Sequence, residues 1–275
     1  MDDKEWHEFV TERGLNYEAI EYVRRLNRRL MKASIALEEA LHAEPMSSTV
    51  NGRIIVSLYR KAVKTFRAIE LLKEQDLIEE SWILLRALLE THVNLIYFLQ
   101  NDAKEMSRRF VDWMSLDLVR RARDAEYFRG IPLPEKVEKE EFERTEAEIR
   151  SRYTVAEFDS IKKKGFTGLS FEKRSEAVGF NADTYAYYRV SSRNLHTLDP
   201  VDYPALWRDI PEDGRMTELL LRSRLLELET NQNMLLGKLS LILNGSVFKN
   251  GSIGAELREI ETAFMAGPPR GSEEK

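Results

Sequence analysis

Apolar residues recur at three- and four-residue steps along almost the whole chain, the spacing that lines one face of a helix. From Tyr17 to His42 they fall at Tyr22, Val23, Leu26, Leu30, Ala33, Leu37 and Leu41. Arg24, Arg25, Arg28, Arg29 and Lys32 lie largely off that face and read as a solvated flank rather than a phosphate-binding strip. After the Glu44-Pro-Met-Ser-Ser-Thr loop, Asn51-Gly52 opens a second helix through Val56, Tyr59, Val63, Phe66, Ile69 and Leu72. Asp76 and Glu79 have capping-box spacing and predict the start of a third helix, running to about Gln100. That helix is apolar nearly all round (Trp82, Leu85, Leu88, Leu89, Val93, Ile96, Phe98), so neighbours must bury it on most sides. It is the predicted central helix. Asn101-Asp102 caps a fourth helix that stops at Gly130-Ile-Pro-Leu-Pro134.

Residues 135–164 are rich in Glu, Lys and Arg with few apolar positions, which predicts a charged helical arm that projects from the body or packs lightly against it. Gly165 and Gly168 mark the return, Ser170 caps a short helix, and residues 181–190 begin another. Two prolines make Asp199–Pro204 irregular. A leucine-rich helix runs from Met216 to Leu243. The predicted fold class is all-α: a multi-helix bundle with a central buried helix and a projecting charged helical arm. Its expected divisions are an N-terminal helical segment (1–45), a bundle core (50–244) containing the arm (135–164), a linker with a short C-terminal helix (245–265), and a disordered tail (266–275).

Composition narrows the function classes. The chain has no cysteine, which removes disulfides, thiolate metal sites and a cysteine nucleophile. Its start lacks a signal-peptide pattern, so a cytoplasmic location is expected. The longest apolar run, Trp82 to Leu99, is interrupted by Arg86, Glu90, His92 and Asn94, so no membrane span is expected. A net charge of -5 argues against a dominant nucleic-acid surface while leaving room for a local basic groove.

Two polar constellations stand out. On the central helix Arg86, Glu90 and Asn94 lie at four-residue steps and line one stripe, with Tyr97 beyond. Burying unpaired charge costs several kcal/mol, roughly, so these groups need internal partners or a wet cleft. The stripe is either a register-fixing network or a ligand site. The second cluster is Tyr185, Arg189, Ser192, Arg193 and His196, with Arg189 and His196 two helical turns apart. Cations, hydroxyls and an imidazole on one face suit acid-base chemistry or anion binding; His196 as a helix-end cap is the structural alternative. Metal ligation is not expected, because neither Glu90-Thr-His92 nor His196-Thr-Leu-Asp199 matches the Glu-x-x-His motif of carboxylate-bridged bundles, and no cofactor is implied.

Two segments together resemble a bacterial family known only as a numbered domain of unknown function, DUF5677. The first is Ser81-Trp-Ile-Leu-Leu-Arg-Ala-Leu-Leu-Glu-Thr-His-Val-Asn-Leu-Ile-Tyr-Phe-Leu99; the second runs from Phe171 to His196, where Arg174, Ala177, Val178-Gly179, Tyr185 and Tyr188 lead into Ser192 and His196. The likeness spans about residues 50–243. A more distant likeness is to the HEPN helical bundles, whose ribonuclease members use an Arg followed by a few residues and a His. Arg189 and His196 fit the long end of that spacing, while Val190 replaces the usual polar residue after the Arg.

The resemblance implies a metal-independent ribonuclease, catalytic through Arg189, His196 and Ser192, acting on RNA in a toxin-antitoxin or phage-defence setting with an antitoxin or defence partner protein. The other reading is a non-enzymatic helical binding or scaffold protein in which Arg86, Glu90, Asn94, Tyr185 and Arg193 form a polar network or ligand site. The width of the apolar surface on Met216–Leu243 adds the expectation of a homodimer.

Overall fold

The computed structural model describes residues 17–127, 139–180 and 214–268. The protein is all-α, and among the described residues there is no strand. In chain order the helices are α1 (Tyr17–Ala43), α2 (Val50–Glu74), α3 (Ile78–Gln100), α4 (Ala103–Tyr127), α5 (Lys139–Ser151), α6 (Val155–Lys164), α7 (Phe171–Ala177), α8 (Gly214–Leu243) and α9 (Gly251–Ala266). A 3-10 turn, Pro45–Ser48, precedes α2, and a π turn, Asn244–Phe248, follows α8. Contacts divide the chain into two compact units, Met1–His92 with Ala182–Lys275, and Val93–Asn181, so the division falls within α3.

In the first unit α1 packs against α2, α8 and α9. It buries Ile20, Val23, Leu26, Leu30, Leu37 and Leu41, the face that its periodicity predicts. Each such side chain contributes about 1.5–3 kcal/mol when fully buried. Leu228, Leu235, Leu236, Leu239 and Leu243 of α8 are buried as well, whereas Met234 and Ile242 are exposed. The segment expected as a linker contains the π turn and is followed by α9, which Asn250 caps and which buries Leu257 and Ile260.

Asp76 plays a different part from the one its capping-box spacing predicts. It sits at φ 58, in the left-handed region, where its N–H donates to Lys73 O at 3.1 Å and that of Leu77 to Leu72 O at 2.9 Å. This is the Schellman arrangement that closes α2. Asp tolerates that backbone conformation because its short polar side chain can bond locally. The true N-cap of α2 is likewise Thr49, whose hydroxyl accepts from Gly52 N at 3.0 Å.

The second unit has its own small core. Phe98, Phe110, Trp113 and Phe166 meet as aromatic pairs with centroids 5.1–6.5 Å apart. Leu116 of α4 is buried with Ile149, Phe158 and Ile161 from α5 and α6. The charged stretch therefore packs lightly on α4, with its remaining positions mostly exposed. Asp112 of α4 anchors it, accepting from Arg152 Nη1 at 2.6 Å and from the Tyr153 hydroxyl at 2.7 Å. Asp102 caps α4 through Glu105 N at 2.7 Å, and Ser170 caps α7, as their sequence positions predict.

By length and composition alone α3 would pass for a membrane span, but 56% of its apolar window is buried within the fold, as in a core helix. No position from Ser81 to Leu99 is exposed, which is what its all-round apolar pattern requires.

Candidate functional site

In the α3 stripe, Arg86 Nε donates to Glu90 Oε1 at 3.2 Å, the less favourable order for a pair along one helix. In the second unit Asn94 Oδ1 accepts from Arg174 Nη1 of α7 at 2.5 Å. Arg174 also lies over the Phe171 ring, 5.9 Å from its centroid. The two sequence segments that carry the family resemblance thus touch here, one supplying the amide and the other the guanidinium.

His92 lies on the side of α3 away from Arg86 and Glu90, and spacing alone does not single it out. It is 1% exposed, and its Nδ1 lies 2.7 Å from the Leu235 carbonyl of α8. Burial holds its pKa down to about 4, with Lys238 adding to the effect against the opposing pull of the Leu235 carbonyl. The ring is therefore neutral near pH 7 and acts as a hydrogen-bonding strut between α3 and α8.

The densest polar cluster of the first unit lies elsewhere, around Glu229, whose side chain is fully buried. Its carboxylate receives Arg24 Nε at 3.0 Å and Asn27 Nδ2 at 2.6 Å, and Lys73 Nζ lies 2.6 Å away. Lys73 also contacts Glu70 at 2.5 Å, and Gln232 donates to both carboxylates. Asn233 donates to Asn27 Oδ1 at 2.6 Å. The buried charge of Glu229 is thus met by two cations and two amides, and the cluster ties α1, α2 and α8 together. Nearby a second buried set, Ser34, Tyr59 and Ser240, is linked at 3.1 and 2.7 Å, and burial raises the Tyr59 pKa.

The signal for Glu229 is present in the sequence. Glu229, Gln232, Asn233, Leu236 and Ser240 share one face of an otherwise leucine-rich helix, so polar groups occupy core positions. Such groups stay buried only when they are mutually satisfied.

Tyr185, Arg189, Ser192, Arg193 and His196 all lie outside the described residues, as do the segment Asp199–Pro204 and most of the C-terminal tail. Among the described residues no three His, Asp or Glu side chains are grouped so that they could hold a metal ion.

An open depression of about 370 Å³ lies on the first unit, lined by Ser57, Arg60, Lys61, Lys64 and Thr65 of α2 with Leu84 of α3. Helical periodicity puts the α2 residues on the face opposite the apolar one, where Arg53, Lys61, Lys64 and Arg67 are also exposed.

No curated protein and no solved structure matches the chain. The model of a family of unknown function, DUF5677, matches residues 52–209, which take in most of α2, all of α3 to α7 and the Arg189/His196 segment. That match covers more than half of the chain and includes both segments whose side chains meet at Asn94 and Arg174, and the protein belongs to the DUF5677 family.

Proposed function

We propose that this protein is a metal-independent ribonuclease in which His196 and Arg189 do the chemistry. The sequence spacing of these two residues, with Ser192 between them, carries the reading. His196 takes the proton of the 2′-hydroxyl as the 2′-oxygen attacks phosphorus. The bond to the 5′-oxygen breaks and that oxygen takes up a proton, leaving a 2′,3′-cyclic phosphate and a 5′-hydroxyl. Arg189 holds the negative charge that builds on the phosphoryl oxygens. Ser192, Tyr185 and Arg193 supply hydrogen bonds to the substrate. A cytoplasmic nuclease of this kind needs restraint, so the reading includes an antitoxin or defence partner protein.

The expected result is that His196→Ala abolishes cleavage in an assay without divalent ions while the circular dichroism spectrum is unchanged, with Arg189→Ala close behind. General acid-base catalysis by one group is worth about 100- to 10,000-fold, so the loss is readable on a gel. Wild-type protein that leaves RNA intact in both EDTA and magnesium overturns the reading. A non-enzymatic binding or scaffold role then takes its place. The internal pairing of Arg86 with Glu90 and of Arg174 with Asn94 favours that second reading, since those groups are then core glue.

A further inference from the structure

We infer that the solvent face of α2 is a docking surface for single-stranded RNA, with Arg53, Lys61, Lys64 and Arg67 holding the phosphodiester backbone. The inference rests on the reading that RNA is the substrate, and it adds where the strand lies.

All four side chains are exposed, and with Ser57, Arg60 and Ala68 they fall on one stripe of the helix. At 1.5 Å per residue the stripe from Arg53 to Arg67 is about 21 Å long. From Val50 to Ile69 there is no Asp or Glu at all, in a chain whose net charge is -5. Arg60 is anchored by Glu38, 2.6 Å from its Nε. The side chains of Arg53, Lys61, Lys64 and Arg67 have no hydrogen-bond or ion-pair partner among the described residues.

The spacing is also repulsive. Lys64 has Arg60 four residues before it, Lys61 three before and Arg67 three after, each a neighbouring position on the helix surface. A line of cations left uncompensated in this way is relieved by a polyanion that tracks it.

The depression beside the stripe points to a single strand. Its floor is made by Leu84, Ala68 and the alkyl stems of the cations, and the charged ends stand around it. A strand with unstacked bases can lay a base on that floor while its phosphates reach the rim. A duplex keeps its bases inside the stack and cannot use the floor.

The test uses full-length protein carrying His196→Ala, so that the strand stays intact, and a fluorescently labelled single-stranded RNA read by anisotropy across a salt series. Lys61→Gln with Lys64→Gln is expected to weaken binding about tenfold or more at low salt. It should also flatten the dependence of log K on log salt by about 1.4, because each phosphate that a cation neutralises on a single strand adds roughly 0.7 to that slope. Arg28→Gln with Arg29→Gln on α1, whose charges already face carboxylates, is the matched control and should leave the slope unchanged. An unchanged slope in the α2 double variant, or an equal fall in the α1 control, overturns the inference. So does equal or tighter binding of a duplex, or binding to anionic vesicles without binding to RNA.

The two readings fail separately. RNA binding that depends on Lys61 and Lys64, in a wild-type protein that cleaves nothing, leaves the surface standing and removes the nuclease. Cleavage that persists unchanged in Lys61→Gln with Lys64→Gln does the reverse.

Discussion

Helices α1 and α2 each carry five cations at solvent-side positions, yet the fold sets carboxylates against three of those on α1 and only one of those on α2. On α1, Arg24 meets Glu21 at 2.8 Å and Glu229 at 3.0 Å, and Arg28 approaches Glu21 at 4.0 Å. Arg29 bridges to Glu256 at 3.0 Å and Glu259 at 2.9 Å on α9. On α2 the corresponding row has one anchored member, Arg60 on Glu38. The charges themselves do not distinguish the two strips. Carboxylates brought from helices more than 200 residues away do, since Arg24 and Glu229 are 205 positions apart. A basic run in a sequence is therefore a candidate surface only after tertiary structure has shown whether acids cover it.

The largest effect should come from removing the acid that neutralises α1 from beneath. Glu229→Ala leaves Lys73 and Asn27 buried without their main acceptor and Arg24 half-buried beside them. Breaking a buried charge network by deleting one partner costs about 3–5 kcal/mol. The midpoint of urea denaturation should fall accordingly, with Glu229→Gln in between because it keeps hydrogen-bonding capacity. A loss under about 1 kcal/mol would mean that the cluster is open to water and that α1 is not neutralised from within.

The next effect reads the core under α1 rather than either surface. His92 donates its Nδ1–H to the Leu235 carbonyl of the same helix that carries Glu229, and burial lowers its pKa to about 4. The unfolded chain takes up that proton near pH 6.5, so between about 4 and 6.5 the unfolded state binds more protons than the folded one. Stability from this group is thus complete above pH 6.5 and is lost as pH falls toward 4. The difference amounts to about 3 kcal/mol across the window. Subtracting the pH–stability curve of His92→Gln from that of the wild type isolates the contribution. Parallel curves over that range would show that His92 is solvated in the folded protein.

Where the sequence is readable, one dominant force decides the outcome. The buried face of α1 from Ile20 to Leu41 and the all-round burial of α3 both follow from apolar spacing, which hydrophobic burial enforces locally. Asp76 misleads because capping-box spacing and a helix-closing turn use the same residue types; only its φ of 58 tells them apart. Arg86 and Glu90 can be found because polar residues on an apolar helix announce themselves, but their pairing along one helix cannot. Glu229 announces itself in the same way on α8, but its network does not: its partners Arg24, Asn27 and Lys73 lie on two other helices, and each looks ordinary in its own segment. The acid-free run on α2 is in plain view, yet the apolar face of the same helix accounts for its periodicity and draws no notice to the charges.

The smallest predicted effect is the most direct test of the contrast, because one kind of substitution should change sign between the two helices. Arg29→Gln on α1 removes ion pairs to Glu256 and Glu259 in which the Arg29 side chain is 38% exposed. Partly exposed pairs of this kind contribute up to about 1 kcal/mol, so the variant should be slightly less stable. Lys64→Gln on α2 removes three like-charge neighbours, each destabilising by about 0.2–0.5 kcal/mol, while Gln and Lys have similar helix propensity. That variant should be more stable by a few tenths to about 1 kcal/mol at low salt. Both differences should fade near 1 M salt, where the screening length drops to about 3 Å. Denaturation midpoints of the two variants at low and high salt read the whole comparison. If Lys64→Gln destabilises the protein, the α2 cations are satisfied internally after all, and the two strips are alike. If it stabilises while weakening RNA binding, the chain keeps Lys64 for function at a cost in stability, as surfaces selected for a partner do.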